Sequence, residues 1–165
     1  AEGRPFRGVL FAGLMITRDG PKTIEFNARM GDPETQVVLP RLKTDLLAIV
    51  QASLAGRLDQ IEIEWSDESA VCVVLASSGY PGSYPKGLPI HGLEDVSADD
   101  ALIFHAGTAI DAAGRIVTNG GRVLGVVGLG QSIAQARDRA YAAAGRIHFE
   151  GKMNRSDIAA KALKA

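Results

Sequence analysis

An almost unbroken apolar run near the start of the chain, Val9-Leu-Phe-Ala-Gly-Leu-Met-Ile16, limits what it can fold into more than any other feature. A strand with one wet face alternates apolar and polar residues. This run does not alternate, so it reads as a strand covered on both faces. Such a strand needs neighbours, and the few residues before it cannot supply them. The expectation is therefore a piece of a longer protein, whose missing N-terminal part completes the layer. The sequence opens at Ala1 with no initiator Met, signal peptide or targeting pattern.

The run ends at Arg18-Asp-Gly-Pro-Lys22, where Asp-Gly and the following proline signal a tight turn. A second strand, Thr23-Ile-Glu-Phe-Asn-Ala-Arg29, completes a hairpin. Asp32 before Pro33 predicts a helix start, with Asp32 as cap, Pro33 in the first helical position and Glu34 in the first turn. That helix carries Val37, Val38 and Leu39 and stops near Pro40. Thr44 or Asp45 caps a second helix, which Gly56 ends. Ile61-Glu-Ile-Glu-Trp65 alternates, as a short strand or an extended linker would. The polar Ser66-Asp-Glu-Ser69 is the best place for a boundary, giving domains 1–65 and 66–165.

Short strands dominate beyond it: 70–76, 102–110, 115–118 and 122–129, the last two joined by Asn119-Gly-Gly121, a hairpin signature. Residues 78–87 hold too many Gly, Pro and Tyr for a regular element. Ser132-Ile-Ala-Gln135 matches a capping box. The helix it opens places Ile133, Ala136, Ala140, Ala144 and Ile147 on one face. A terminal helix over 156–163 closes the chain. The class is α+β: an antiparallel sheet with helices, followed by a small mixed α/β domain.

With 46% hydrophobic residues, the 165-residue chain can fill a core. Its 18 Lys and Arg nearly balance 19 Asp and Glu, and no basic run exists to neutralise a phosphate backbone, which argues against nucleic acid. No apolar stretch nears the roughly 18–20 residues of a membrane span. One cysteine, Cys72, sits in the apolar run Ala-Val-Cys-Val-Val-Leu; it reads as a buried thiol and fits a reducing cytoplasm.

Chemistry concentrates in Ile24-Glu-Phe-Asn-Ala-Arg-Met-Gly-Asp-Pro-Glu34. Side chains alternate along a strand, so Glu25, Asn27 and Arg29 share one face, about 7 Å apart at successive steps, while Ile24, Phe26 and Ala28 face a core. A carboxylate and an amide oxygen suit a hard cation such as Mg²⁺, with phosphate oxygens and water completing its shell. A guanidinium one step further can stabilise charge on a transferring phosphoryl group. Periodicity alone equally describes an ordinary half-exposed strand with a surface Glu–Arg pair, and Asp32-Pro33-Glu34 can be only a cap.

This segment resembles the Glu-x-Asn-x-Arg metal-binding strand of the ATP-grasp superfamily. Its continuation through Met30-Gly-Asp-Pro-Glu-Thr-Gln36 resembles the phosphoribosylamine–glycine ligases. The likeness runs on, in order, through Phe11-Ala-Gly-Leu-Met-Ile16, Gly79-Tyr-Pro-Gly82, Phe104-His-Ala-Gly-Thr108, Thr118-Asn-Gly-Gly-Arg-Val123, Arg139-Ala-Tyr141, Ile147-His148 and Arg155-Ser-Asp-Ile158. It covers essentially the whole chain, placing 1–65 at the C-terminal end of an ATP-grasp domain and the remainder in the family's C-terminal domain. It implies ATP as co-substrate and a ligation of glycine to 5-phosphoribosylamine through a glycyl phosphate, in purine biosynthesis. Glu25 and Asn27 match the Mg²⁺ or Mn²⁺ ligands, and Arg29 the catalytic arginine near the transferring phosphoryl group. Gly31, Asp32 and Glu34 lie at the following turn as candidate substrate-binding residues. One departure stands out: many superfamily members carry another acidic ligand on the preceding strand, whereas residues 8–17 contain no Asp or Glu.

The three histidines, His91, His105 and His148, are far apart and lack metal-ligand spacing. Asn119-Gly-Gly-Arg122 could bring amides to a phosphate, but a hairpin turn is the plainer reading. Two other functions stay open on sequence: another ATP-grasp carboxylate–amine ligase or carboxylase, and a non-catalytic assembly module. As a piece of a ligase, the chain is expected to be inactive alone.

Overall fold

The computed structural model describes residues 3–163. The chain forms two compact units, Ala1–Ser66 and Asp67–Ala165. Pairing is antiparallel in all the sheets described, in keeping with the α+β expectation.

In the first unit β1 (Phe11–Thr17) pairs with β2 (Gly20–Asn27), from Phe11 opposite Asn27 to Thr17 opposite Gly20, with a bulge between Gly13 and Leu14. The Thr17 hydroxyl closes the turn, donating to Gly20 O at 2.8 Å and accepting from Asp19 N at 3.2 Å. Gly20 has φ 94°, a conformation that side chains disfavour. Strand β2 thus begins three residues earlier than the sequence suggests, and takes in Pro21. The expected burial does not occur within the described residues. Ile16 is 77% exposed, Ile24 64% and Phe26 63%. Two strands alone have no second layer to cover them.

Helix α1 is only Thr35–Val38 and passes straight into a 3-10 turn, Leu39–Arg41, that contains Pro40. Its N-cap position is Glu34, with no capping side chain, so Asp32 is not the predicted cap and lies in the turn before it. Helix α2 (Leu46–Leu54) is capped by Asp45, whose carboxylate accepts from Leu47 N at 2.7 Å. Thr44 instead fixes the returning 61–65 segment, its hydroxyl accepting from Glu64 N at 2.7 Å. That segment is extended and runs back beside residues 41–44, through the Leu42–Trp65 bridge and hydrogen bonds such as Lys43 N to Glu64 O at 3.0 Å.

The second unit holds the larger core. Strands β3 (Ser69–Ala76), β4 (Leu102–His105) and β7 (Arg122–Gly130) form a sheet with β7 central. Helix α3 (Ile133–Arg146) packs on one face. Val73, Leu75, Leu124 and Val126 from the sheet meet Ala140, Ala143, Ala144 and the following Ile147 in one buried cluster. The helix comes so close that a β-carbon on Gly128 would lie 2.1 Å from Ala136 O. This approach explains an alanine-lined helix. Ile133, predicted on the buried face, is 39% exposed, whereas Ala143 is buried. The capping box forms with a shift: Ser132 Oγ accepts from Gln135 N at 3.2 Å, but Gln135 Oε1 takes its bond from Gln131 N at 2.7 Å. Cys72 is half-buried rather than buried, because alternation along β3 turns it away from α3.

Three expectations fail here. The predicted strand over 102–110 is broken into β4 and β5 (Thr108–Ile110), which lie in different sheets. Strand β6 (Ile116–Thr118) pairs with β5, not with β7, so Asn119-Gly-Gly121 is a crossing between sheets and not a hairpin turn. The crossing works because two backbones touch: a β-carbon on Gly107 would lie 2.5 Å from Gly120 Cα. Residues 156–163 form successive turns instead of a helix; Ala159 has φ 60°, which a right-handed helix does not accommodate. The Tyr141 hydroxyl ties this tail down, donating to Arg155 O at 2.7 Å and accepting from Ile158 N at 3.2 Å.

Candidate functional site

Glu25 and Asn27 stand two residues apart on β2 and meet side by side: Asn27 Nδ2 donates to Glu25 Oε1 at 2.9 Å. With its NH₂ group engaged by the carboxylate, the Asn27 amide has its oxygen left over as an acceptor. Glu25 is exposed and Asn27 half-buried. Across the hairpin Glu25 faces Gly13, where an added β-carbon would come 3.1 Å from Glu25 Cγ. Gly13 thus clears room for the carboxylate. The sequence reading missed this residue, although a glycine inside an apolar strand signals a close approach. Asn27 faces Phe11, so the partner strand adds no carboxylate beside either residue.

Arg29 does not continue the face. Strand β2 ends at Asn27, and Arg29 lies in a bend beyond it, donating from its guanidinium to Met30 O at 2.8 Å. No hydrogen bond joins it to Glu25 or Asn27 among the described residues. The turn after it is tightly built. Gly31 is buried, and its carbonyl accepts from both Thr35 N, at 3.1 Å, and the Thr35 hydroxyl. The Glu34 side chain folds over Gly31, so that a β-carbon there would lie 2.5 Å from Glu34 Oε2. Asp32 Oδ1 accepts from Gln36 Nε2 at 3.4 Å, while Gln36 Oε1 is buried with no partner. The candidate residues therefore fall into two groups: Glu25 with Asn27, and Gly31 and Asp32 with Glu34, Thr35 and Gln36. Arg29 lies between them.

Among the described residues no group of three His, Cys, Asp or Glu could hold a metal ion. The Glu25–Asn27 pair offers two oxygen donors, a set that suits a hard cation sharing its shell with phosphate and water. In the second unit an open cleft of 150 Å³ is lined by Glu68, Asp99, Asp100 and Arg139 among others. It is well below the roughly 300–1,000 Å³ of small-molecule sites, so it does not compete as a ligand pocket. No described helix is long and apolar enough to cross a membrane.

The pattern described as phosphoribosylglycinamide synthetase, C domain, matches residues 70–161, more than half of the chain. The chain belongs to the phosphoribosylglycinamide synthetase family. The pattern for that synthetase family's ATP-grasp (A) domain matches residues 1–35, the stretch that carries β1, β2 and the Glu25–Asn27 pair. A phosphoribosylamine–glycine ligase of Caldanaerobacter subterraneus subsp. tengcongensis is 55% identical over 96% of this chain and 37% of its own length. A bifunctional purine biosynthetic protein of Dictyostelium discoideum is 52% identical over 98% of this chain and 21% of its own length. The crystal structure of phosphoribosylamine–glycine ligase from Thermotoga maritima superposes with a TM-score of 0.82 at 40% identity, over 94% of this chain and 38% of that one. The chain thus spans under two fifths of these synthetase relatives.

Proposed function

We propose that this chain is the metal-bearing end and C-terminal domain of an ATP-dependent ligase that joins glycine to 5-phosphoribosylamine. In this reading residues 1–65 belong to the ATP-grasp domain and 66–165 form the C-terminal domain. The side-by-side Glu25 and Asn27 on β2 carry the proposal, because that pair lies in the stretch matching the ATP-grasp domain of the synthetase family. The relatives' names give the reaction class.

The glycine carboxylate attacks the γ-phosphorus of ATP, forming glycyl phosphate and releasing ADP. The amine of phosphoribosylamine then attacks the acyl carbon; phosphate leaves, the nitrogen loses a proton, and glycinamide ribonucleotide forms. Glu25 Oε and Asn27 Oδ1 would hold Mg²⁺ or Mn²⁺ between them. The ion, when bound, offsets charge on the ATP phosphates as the phosphoryl group moves. Asn27 keeps the Glu25 carboxylate oriented through its amide, and Gly13 leaves it space. Arg29, released from Met30 O, would reach the transferring phosphoryl group. Gly31, Asp32 and Glu34 would meet the substrate at the turn, where the partnerless Gln36 Oε1 is an acceptor suited to an amine. Glycine, phosphoribosylamine, ATP and the preceding part of the same protein are its partners, and we place the reaction in the cytoplasm.

The test is an assay of the full-length protein that contains this chain. Glycinamide ribonucleotide should form from ATP, glycine and phosphoribosylamine, with ADP and phosphate in equal amounts. The isolated chain should give none. Absence of product from the full-length protein, or turnover by the chain alone, contradicts the proposal.

A further inference from the structure

Two histidines that the sequence separates by more than fifty residues stand directly opposite one another in the second unit. His91 N donates to His148 O at 2.8 Å, and His148 N donates to His91 O at 2.9 Å. This reciprocal exchange marks them as the hydrogen-bonded pair of an antiparallel bridge. Residues so paired have α-carbons about 5.5 Å apart and send their side chains to the same face. Both residues are exposed, and neither imidazole has a hydrogen-bond or ion-pair partner among the described residues. His105 differs: it ends β4, and its Nδ1 is engaged with Thr108 Oγ1 at 3.0 Å.

The backbone under the pair is held firmly. Ile90, Ile147 and Phe149, the residues flanking the two histidines, are 8%, 0% and 7% exposed and belong to the core cluster. Ile90 N also donates to Ile116 O at 2.9 Å. Next to His91, Gly92 has φ 80° and passes so close to the end of α3 that a β-carbon would lie 2.0 Å from Arg146 O. The two rings therefore spring from a fixed base and need only side-chain rotation to converge.

We propose that His91 and His148 form a chelating site for a borderline divalent transition ion, Zn²⁺, Ni²⁺ or Cu²⁺, with water completing the coordination. Imidazole nitrogen suits these ions and not Mg²⁺, whose preference is oxygen. The site is chemically distinct from the Glu25–Asn27 pair and does not depend on the activity proposed above. Once one imidazole holds the ion, the other binds it within the same molecule at a high effective concentration. An ion held there links the segment before β4 to the exit of α3.

The test titrates the untagged, EDTA-stripped 165-residue chain with NiCl₂ by calorimetry. One site is expected. His91→Ala and His148→Ala should each weaken it about tenfold or more, to the level of a single imidazole, and the double variant should lose it by less than the sum of the two losses. His105→Ala and excess MgCl₂ should leave it unchanged. Should an alanine variant fail to fold by circular dichroism, the asparagine variants His91→Asn and His148→Asn replace it. NiCl₂ should also raise the thermal midpoint of the parent chain and of His105→Ala alone. No Ni²⁺ binding, equal losses on His105→Ala, or additive losses at His91 and His148 typical of separate single-histidine sites would overturn the proposal.

Discussion

Gly13 stands opposite Glu25 across the β1–β2 hairpin, and a β-carbon on Gly13 would press to within 3.1 Å of Glu25 Cγ. The glycine thus sets where the carboxylate sits. In the full-length protein, under the proposed ligase reading, Gly13→Ala should raise the Mg²⁺ concentration for half-maximal rate a few-fold, and Gly13→Val should raise it more. An unchanged metal dependence in Gly13→Val would remove Gly13 from the account.

Gly128 gives α3 its seat. A β-carbon there would lie 2.1 Å from Ala136 O and 2.6 Å from Ala140 N, and both are backbone atoms that cannot step aside alone. Gly128→Ala should destabilise the second unit by about 1–3 kcal/mol or more, seen as a lower urea midpoint.

Ile147 is fully buried at the exit of α3. Its truncation to alanine should cost about 2–5 kcal/mol in the same measurement. His148, its exposed neighbour, should tolerate alanine with little loss in metal-free buffer.

The Asp100 carboxylate accepts from Arg146 at 2.6 Å, and that hydrogen bond, with the attraction of the guanidinium, holds its pKa below the ordinary 3.8. A carboxylate depressed in the folded state contributes stability above its unfolded pKa and loses it as the pH falls through the folded value. Asp100→Asn should therefore lower stability by a constant amount from pH 5 upward, roughly one unit above the unfolded pKa. The gap to the parent should close as the pH drops below 3.8. Urea melts across that range check the sign.

Local pattern made part of this molecule legible. The alternation in Ile24-Glu-Phe-Asn placed Glu25 and Asn27 side by side because strand periodicity involves only neighbouring residues. The Asp45 and Ser132 caps were readable for the same reason. Arg29 was misplaced because β2 stops at Asn27, ahead of the turn that Gly31 and Thr35 tie together. Asn119-Gly-Gly121 carries a hairpin signature, yet which strand pairs with which is decided by tertiary packing, here the contact of Gly107 with Gly120. The alanine-rich tail looked helical, but Tyr141, one helix away, holds it in turns. The His91–His148 pair had no local sign at all, since a bridge between distant segments creates it.

The most direct test of the proposed ligase reading is the metal dependence of phosphate release by the full-length protein carrying Glu25→Gln or Asn27→Ala. Neutralising the Glu25 carboxylate or removing the Asn27 oxygen should lower kcat by about a hundredfold and shift half-saturation to higher Mg²⁺, with the fold intact by circular dichroism. A variant with parental kcat and parental Mg²⁺ dependence would contradict the assignment of Glu25 and Asn27 as metal ligands.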